Sequence, residues 1–400
     1  MNILIISQYF WPENFRINDI ALGLKERGHS ITILTGIPNY PAGQFFEGYD
    51  KNSPDETWQD INIYRAWLTP RGRGRGIDLI KNYFSFAISA SKAVYRIKEP
   101  IDSILVFEPS PITVGIPAIF AKRRFNARYS FWVQDLWPAS LTAAGGIKNK
   151  LVLGFFDRLT RLIYKQANYV LVQSRTFSDY IVKQDVKRDK IVYVPNSTEA
   201  YYKPIIDSSK YKNLLPDGFK IMFAGNIGEA QSLDTFVEAA KILRERGYKI
   251  NWVIIGDGRY KTNLESLIDQ YDLKNSIHFI GKFPSEEMAH FFSNADALYV
   301  SLRKDYIFSL TIPSKVQSYL ACGRPILASL DGEGARIIEE SKSGFVSDAE
   351  DIQGLVDNVI RLYEISTSER EQFGKNGLKY FESEFDREIV LNKLEKSLKS

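Results

Sequence analysis

The sequence predicts an α/β chain of two doubly wound, Rossmann-like parallel-sheet domains, and three observations carry that prediction. Short apolar runs of strand length alternate with longer amphipathic stretches, the pattern of a parallel sheet covered by helices. Two such series follow one another, with an aperiodic stretch between them. At roughly 100 to 200 residues per domain, 400 residues favours two domains over three.

In the first series the opening run, Asn2 to Ser7, is almost wholly apolar and reads as a strand, followed by a helix over 17–27. Further strands are expected at 30–35, 61–66, 103–107, 127–133, 169–173 and 191–194. Helices at 79–98, 115–124, 151–166 and 176–183 lie between them. The second series has strands at 220–224, 251–255, 277–280, 297–301 and 325–328, interleaved with helices such as 233–246 and 314–321. Between the series, 196–218 holds Pro204, Asp207, Ser208, Ser209, Pro216 and Gly218 with little periodicity, and reads as a linker. The expected domains are therefore 1–200 and 217–380. In the tail, Phe381, Phe385, Ile389, Val390, Leu394 and Leu398 lie on one helical face over 381–400. That helix either packs on its own domain or returns to the first. Two such domains turn the carboxyl ends of their strands toward a central cleft, where ligands bind.

Composition narrows the function. With 44% apolar and 25% charged residues the chain is an ordinary globular protein rather than a disordered or disulfide-stapled one. Cys322 stands alone, and with three His and three Met no soft-ligand metal cluster is expected. The opening run is too short for a secretory leader and no stretch of 18 apolar residues occurs, so neither a cleaved leader nor a spanning helix is expected. The net charge of +4 is uneven: the first 200 residues hold 26 Lys and Arg against 18 Asp and Glu, the last 200 hold 26 against 30.

The loop after the first strand, Gln8 to Arg16, contains no glycine, and the first in the chain is Gly23. A pyrophosphate needs glycines there to approach the backbone, which argues against a dinucleotide enzyme. The loop's polar groups, Asn14 and Arg16 among them, suit an acceptor-facing wall, while Trp11 and Phe15 equally suit a hydrophobic plug. In the second series Ala224-Gly225-Asn226-Ile227-Gly228 and Ile255-Gly256-Asp257-Gly258-Arg259-Tyr260-Lys261 each follow a strand and precede a helix. Free amides and the positive helix end attract phosphate in that geometry, although each turn also reads as a plain connector. The segment Phe308 to Pro325 adds Ser314 as a helix N-cap after Pro313, Lys315 as a point charge for phosphate, and Ser318 one turn on, within reach of a ribose hydroxyl.

With these turns, Arg27-Gly28-His29, the run Leu34 to Gly43, Trp132-Val133-Gln134-Asp135-Leu136-Trp137-Pro138 and Val194-Pro195-Asn196 complete a pattern over nearly the whole chain. It resembles the retaining glycosyltransferases of family 4, which have the GT-B fold, in the bacterial polysaccharide branch that includes O-antigen and capsule N-acetyl-L-fucosamine transferases. The resemblance implies a UDP-sugar held by the second domain and an acceptor held by the first. It places Asn226 and Gly228 at the diphosphate and Phe283, within Lys282-Phe283-Pro284, beside the base. Arg259, Lys261 and Lys315 would neutralise the leaving group, and Ser314, Ser318, Glu333 and Gly334 complete the donor site. Gln134 joins Asn14 and Arg16 on the acceptor side. No metal or other cofactor is implied, and no Asp-x-Asp pair occurs. The sequence departs from the family where two glutamates commonly stand eight positions apart, here Leu310 and Ser318. Fewer polar contacts to the sugar are compatible with a deoxysugar. Asn226 and Gln231 replace the usual Arg and Lys after the first glycine turn, and Gln134 replaces the His that often precedes the aspartate.

For the chemistry, His29, His278 and His290 lie in or beside expected strands and helices and read as structural. That leaves a carboxylate nucleophile or a same-face displacement in which the departing phosphate takes the acceptor's proton, and the second demands mainly positioning and charge stabilisation. Asp135 is the carboxylate best placed to orient the sugar or acceptor, with a helix-capping role as the alternative. From Arg65 to Lys98 eight cations meet one acid, Asp78. Arg71, Arg73 and Arg75 would contact an anionic membrane, unless Phe84, Ile88 and Val94 face the sheet and the charges only solvate the loop. No nucleic-acid motif is present. The expectation is a hexosyltransferase in the cytoplasm, peripheral at the inner face of the cell membrane. It would move N-acetyl-L-fucosamine or a related N-acetylhexosamine from UDP onto an undecaprenyl-diphosphate-linked saccharide during O-antigen or capsule synthesis. A GT-B nucleotide-sugar epimerase and a non-catalytic sugar-binding subunit are the alternatives.

Overall fold

The structure, a computed structural model, describes residues 1–72, 76–143 and 147–399. The chain folds as two compact units, Met1–Pro195 together with Glu388–Ser400, and Asn196–Arg387.

In chain order the first unit contains β1 (Asn2–Ile6), α1 (Arg16–Glu26), β2 (Ser30–Gly36), β3 (Glu56–Trp58), β4 (Ile61–Ala66), α2 (Gly76–Ala93) and β5 (Ser103–Glu108). It continues with α3 (Gly115–Phe125), β6 (Arg128–Val133), α4 (Ala139–Ala143), α5 (Lys150–Gln166), β7 (Tyr169–Val172), α6 (Phe177–Val182) and β8 (Ile191–Tyr193). Its sheet runs β3-β4-β2-β1-β5-β6-β7-β8. All pairs are parallel except the antiparallel edge β3, three residues too short to read as a strand from the sequence. Side chains alternate across this sheet. Ile3 and Ile5 of β1 face a core shared with Ile17, Ile20 and Leu24 of α1.

The second unit contains β9 (Phe219–Ala224), α7 (Asp234–Glu245), β10 (Ile250–Ile255), α8 (Lys261–Gln270), β11 (Ile277–Gly281), α9 (Met288–Phe292) and β12 (Ala297–Ser301). Then come α10 (Tyr306–Leu310), α11 (Ser314–Ala321), β13 (Ile326–Ser329), α12 (Glu333–Glu340), β14 (Gly344–Ser347), α13 (Ile352–Glu364) and α14 (Thr367–Glu384). Its sheet, all parallel, runs β11-β10-β9-β12-β13-β14. The order reverses at β9 and β12, so a crevice opens beyond their carboxyl ends, where ligands bind in folds of this kind.

Two segments differ from expectation. The stretch read as a linker is packed: Tyr202, Ile205, Tyr211 and Leu215 lie against the second unit's core, and Tyr211 stacks on Phe291 at 4.4 Å between ring centroids. The tail is two helices rather than one. The amides of Phe385 and Asp386 both close on Phe381 O, ending α14, and α15 (Arg387–Lys399) begins after them. Phe381 and Phe385 belong to the second unit's core, whereas Val390, Leu391, Leu394 and Leu398 join β1, β2 and α1 in the first. Arg27 binds Glu388 and Asn392 Oδ1, and His29 Nε2 meets Glu395 Oε1 at 2.8 Å, tying α15 to the turn after α1.

Candidate functional site

Beyond the carboxyl ends of β9 and β10 the two glycine turns run side by side. The Gly225 amide donates to Ile255 O and the Ile227 amide to Asp257 O, each at 2.8 Å. Contact is so close that a β-carbon added at Gly256 would stand 1.9 Å from Gly225 O, and both glycines hold positive φ, +142° and +135°. Only glycine permits that conformation and that approach together. The paired turns, the start of α11 and the loop after β11 enclose a pocket of about 760 Å³. Asn226, Phe283, Ser314, Lys315 and Ser318 line it, as the sequence reading placed them, and so do Tyr202, Asp257 and Tyr319, which that reading did not single out.

Each wall has a local cause. Tyr319 OH accepts from the Ala224 amide at 3.3 Å, fastening α11 to the end of β9. Gln317 Nε2 donates to Asn196 O at 2.7 Å and Ser318 shares a hydrogen bond with Thr198, so the entry segment of this unit is clamped to the same helix. Phe283 stands edge-on to Tyr211 and packs with Phe291, presenting an aromatic surface held by a cluster. The cap of α11 differs from expectation: Pro313 is the N-cap, with no side-chain cap bond, and Ser314 is the first helical residue. Pro313 therefore offers no side-chain acceptor to the start of α11, whose positive helix end attracts an anion.

Lys315 is the charge in this pocket. Its Nζ lies 4.8 Å from the centre of the Phe223 ring, and its Cε would be 2.7 Å from a β-carbon at Gly225. Among the described residues no hydrogen bond or ion pair reaches the ammonium. Burial pushes its pKa down to about 8, still leaving mostly a cation at neutral pH. Lys315 is partly buried, and an ammonium held over an aromatic ring without a counter-ion attracts an anion.

Other expected donor residues stand elsewhere. The Gly228 amide is taken by Gln231 Oε1 at 3.1 Å, so it points into its own turn rather than the pocket. Arg259 and Lys261 are outside the wall; Lys261 lies 3.8 Å from Glu265 and over the Phe279 ring. Glu333 is buried, with both carboxylate oxygens on Arg336 at 2.9 and 3.0 Å, and Gly334 packs against Pro313. Neither lines the pocket. Lys261 and Glu333 are each ion-paired within their own helix, which spacing alone does not reveal.

In the first unit, titratable groups gather beyond the ends of β1, β5 and β6. Asp135 follows β6 and is partly exposed; burial raises its pKa to about 6, although the Leu136 amide and the Ser140 hydroxyl favour its charge. Glu108, fully buried at the end of β5, is pushed well above the carboxylate range by burial and by Asp135. Gln134, beside Asp135, donates its amide to Glu108 O at 3.1 Å. Glu13 is buried under the first loop, with Oε1 accepting the Asn39 and Tyr40 amides at 2.8 and 2.7 Å, and burial raises its pKa to about 7. The sequence reading did not single out Glu108 or Glu13; the signal for Glu108 was a carboxylate closing the apolar run Ile104 to Phe107. Asn14 is exposed and Arg16 opens α1. Trp11 stacks on Trp58 and Phe15 on Tyr9, so the loop carries a plug beneath its polar groups. Arg71 is held over the Tyr9 and Tyr40 rings and hydrogen-bonds Tyr9 OH, while Arg73 and Arg75 lie outside the described residues.

Comparison with known proteins places this geometry. Residues 14–197 match the family model described as a glycosyl transferase 4-like domain, and residues 206–380 match glycosyl transferases group 1. The putative colanic acid biosynthesis glycosyl transferase WcaI of Escherichia coli K12 is 23% identical over 343 residues, covering 81% of this chain and 82% of its own length. Among solved structures, sucrose-phosphate synthase of Thermosynechococcus elongatus superposes with a TM-score of 0.74 at 15% identity, over 99% of this chain and 98% of that one. HepE of Anabaena in complex with UDP-glucose gives 0.72 at 13% identity, over 100% and 99%.

Proposed function

The chain carries a glycosyl transferase 4-like domain followed by a group 1 glycosyl transferase domain on the GT-B fold, and from that premise we propose that it is a retaining transferase for a UDP-linked sugar. The acceptor is a saccharide on a lipid diphosphate, at the inner face of the cell membrane, and the product extends a polysaccharide repeat. One observation carries the reading: the uncompensated Lys315 ammonium in a pocket bounded by two glycine turns and the uncapped start of α11. A nucleoside diphosphate fits that chemistry, with its phosphates on the amides and Lys315 and its base against Phe283. The likeness to HepE with UDP-glucose supports the nucleotide, and the likeness to WcaI supports a polysaccharide product.

The bond from the sugar's anomeric carbon to the diphosphate breaks as the acceptor oxygen bonds the same face. The acceptor's proton passes to the departing phosphate oxygen. Lys315 stabilises the charge that develops there, and Asp135 orients the sugar or acceptor. N-acetyl-L-fucosamine or a related N-acetylhexosamine is the sugar class, because Leu310 and Ser318 occupy positions where glutamates would hold more hydroxyls.

Calorimetry with UDP, GDP and ADP, then incubation with UDP-N-acetylhexosamines and a lipid-linked acceptor, tests the reading. Released UDP with a lengthened acceptor is expected, at a rate unchanged by EDTA because Lys315 and amides supply the countercharge. An isomerised donor would indicate an epimerase, and binding without turnover a sugar-binding subunit. Absence of affinity for every nucleotide would end the proposal.

A further inference from the structure

The first unit carries an apolar face that the fold leaves open. On α2 the inward side buries Tyr83, Phe86, Ala87 and Ala90. A second stripe at helical spacing, Ile77, Ile80, Phe84 and Ile88, continues to Tyr95 in the turn that follows, with Ile77 70%, Ile88 60% and Tyr95 63% exposed. Val94 is buried and Ile88 exposed, so the alternative in which Phe84, Ile88 and Val94 together face the sheet is not met: a separation of six residues puts Ile88 and Val94 on different sides. On α5 a matching stripe runs through Leu151, Phe155 and Leu162, exposed by 85%, 52% and 50%. The stripes meet, Phe84 lying 6.2 Å from Phe155 between ring centroids, and α3 packs against both helices. Between α2 and α3 an open groove of about 460 Å³ is lined by Phe84, Ile88, Tyr95, Ile116 and Phe120. Monomeric proteins seldom leave so continuous an apolar surface without a partner.

Charge selects the partner. Segments 76–98, 115–125 and 147–166, which form this face and its borders, hold twelve Lys and Arg against two Asp, in a chain whose total is only +4. Lys81, Lys92, Lys148, Lys150, Arg158 and Lys165 are exposed beside the stripes. Lys165, with Lys187 and Lys190, also borders a recess of about 440 Å³ next to Leu162. A second copy of the same face would bring like charges together, whereas apolar stripes bordered by cations suit an anionic bilayer. We propose that the α2–α3–α5 face of the first unit docks on an anionic phospholipid membrane, its apolar side chains entering the headgroup boundary and its cations meeting lipid phosphates. This rests on the lipid-linked acceptor proposed above and moves the membrane contact from the loop of Arg71, Arg73 and Arg75, where Arg71 is already engaged by two tyrosine rings.

Flotation with vesicles of phosphatidylglycerol and phosphatidylcholine tests the face. The full chain is expected to float with anionic vesicles, less so at high salt and not with phosphatidylcholine alone. Ile88→Glu with Phe155→Glu, both at exposed positions, should lower vesicle affinity at least tenfold while UDP binding by calorimetry and the circular dichroism spectrum stay unchanged. Lys148→Glu with Lys150→Glu should weaken binding and flatten its salt dependence. Wild-type affinity in both variants, failure of the wild type to float, or a dimer dissolved by the Glu variant with flotation intact would overturn the proposal. Sugar transfer to a soluble acceptor without flotation defeats the surface and spares the transferase; flotation lost in the variant, without any transfer by the wild type, defeats the transferase and spares the surface.

Discussion

Lys315 sets a stability cost against a binding role, and the two separate in one variant. Its pKa, lowered by burial to about 8, means that the unfolded chain holds this proton more tightly. Between about pH 8 and the ordinary lysine value, stability therefore rises with pH, and below 8 the cost of burying the charge is complete. Lys315→Met should raise the unfolding free energy near pH 7 by about 1–3 kcal/mol and weaken UDP binding at least tenfold. Urea titration and calorimetry measure both, and unaltered UDP affinity would remove Lys315 from the phosphate site. In the wild type, the proposed phosphate site predicts that UDP affinity declines as pH climbs through about 8, where Lys315 loses its charge. Asp135 gives the opposite limb. With its pKa raised to about 6, transfer should fall as pH drops through 6, where an ordinary aspartate would remain ionised. Asp135→Asn should be inactive yet no less stable above pH 6, because burial penalises the carboxylate it replaces. A rate profile flat down to pH 5 would confine Asp135 to capping.

At the scale of elements, the pocket of the second unit depends on two turns touching. Gly256→Ala forces a β-carbon toward Gly225 O, 1.9 Å away, at a φ of +142°. The expected cost is about 2–4 kcal/mol, together with loss of UDP binding, read by chemical denaturation and calorimetry. A near-neutral substitution would show that the turns part freely. Elements also show where sequence reading succeeds. Strands of the parallel sheets were legible almost to the residue, because a strand buried on both faces must be apolar throughout. Strands β3 and β14, three and four residues long, were missed for want of any period. Asn226, Phe283, Ser314, Lys315 and Ser318 were legible because each lies where the chain leaves a strand or enters a helix. Glu333, expected at the donor site, does not line the pocket, and its partner Arg336, one turn on, holds both carboxylate oxygens.

For the whole molecule, α15 decides the integrity of the first unit. Val390, Leu391, Leu394 and Leu398 fill its core from the far end of the chain. Four such side chains at about 1.5–3 kcal/mol each amount to much of a domain's net stability. Deleting residues after Arg387 should leave the first unit unfolded or protease-sensitive while the second, complete without α15, still binds UDP. Limited proteolysis with calorimetry distinguishes this from a dispensable tail. Among the described residues no helix is long and apolar enough to cross a membrane. The pair of doubly wound sheets, the two glycine turns and the cation at the start of α11 could be read along the chain, because periodicity and turn chemistry are local properties of it. Tertiary structure alone decided which cations stay uncompensated, which carboxyls are buried, that one apolar tail serves two cores, and that Ile88 faces outward. Those outcomes depend on what residues distant in the chain bring to the same place.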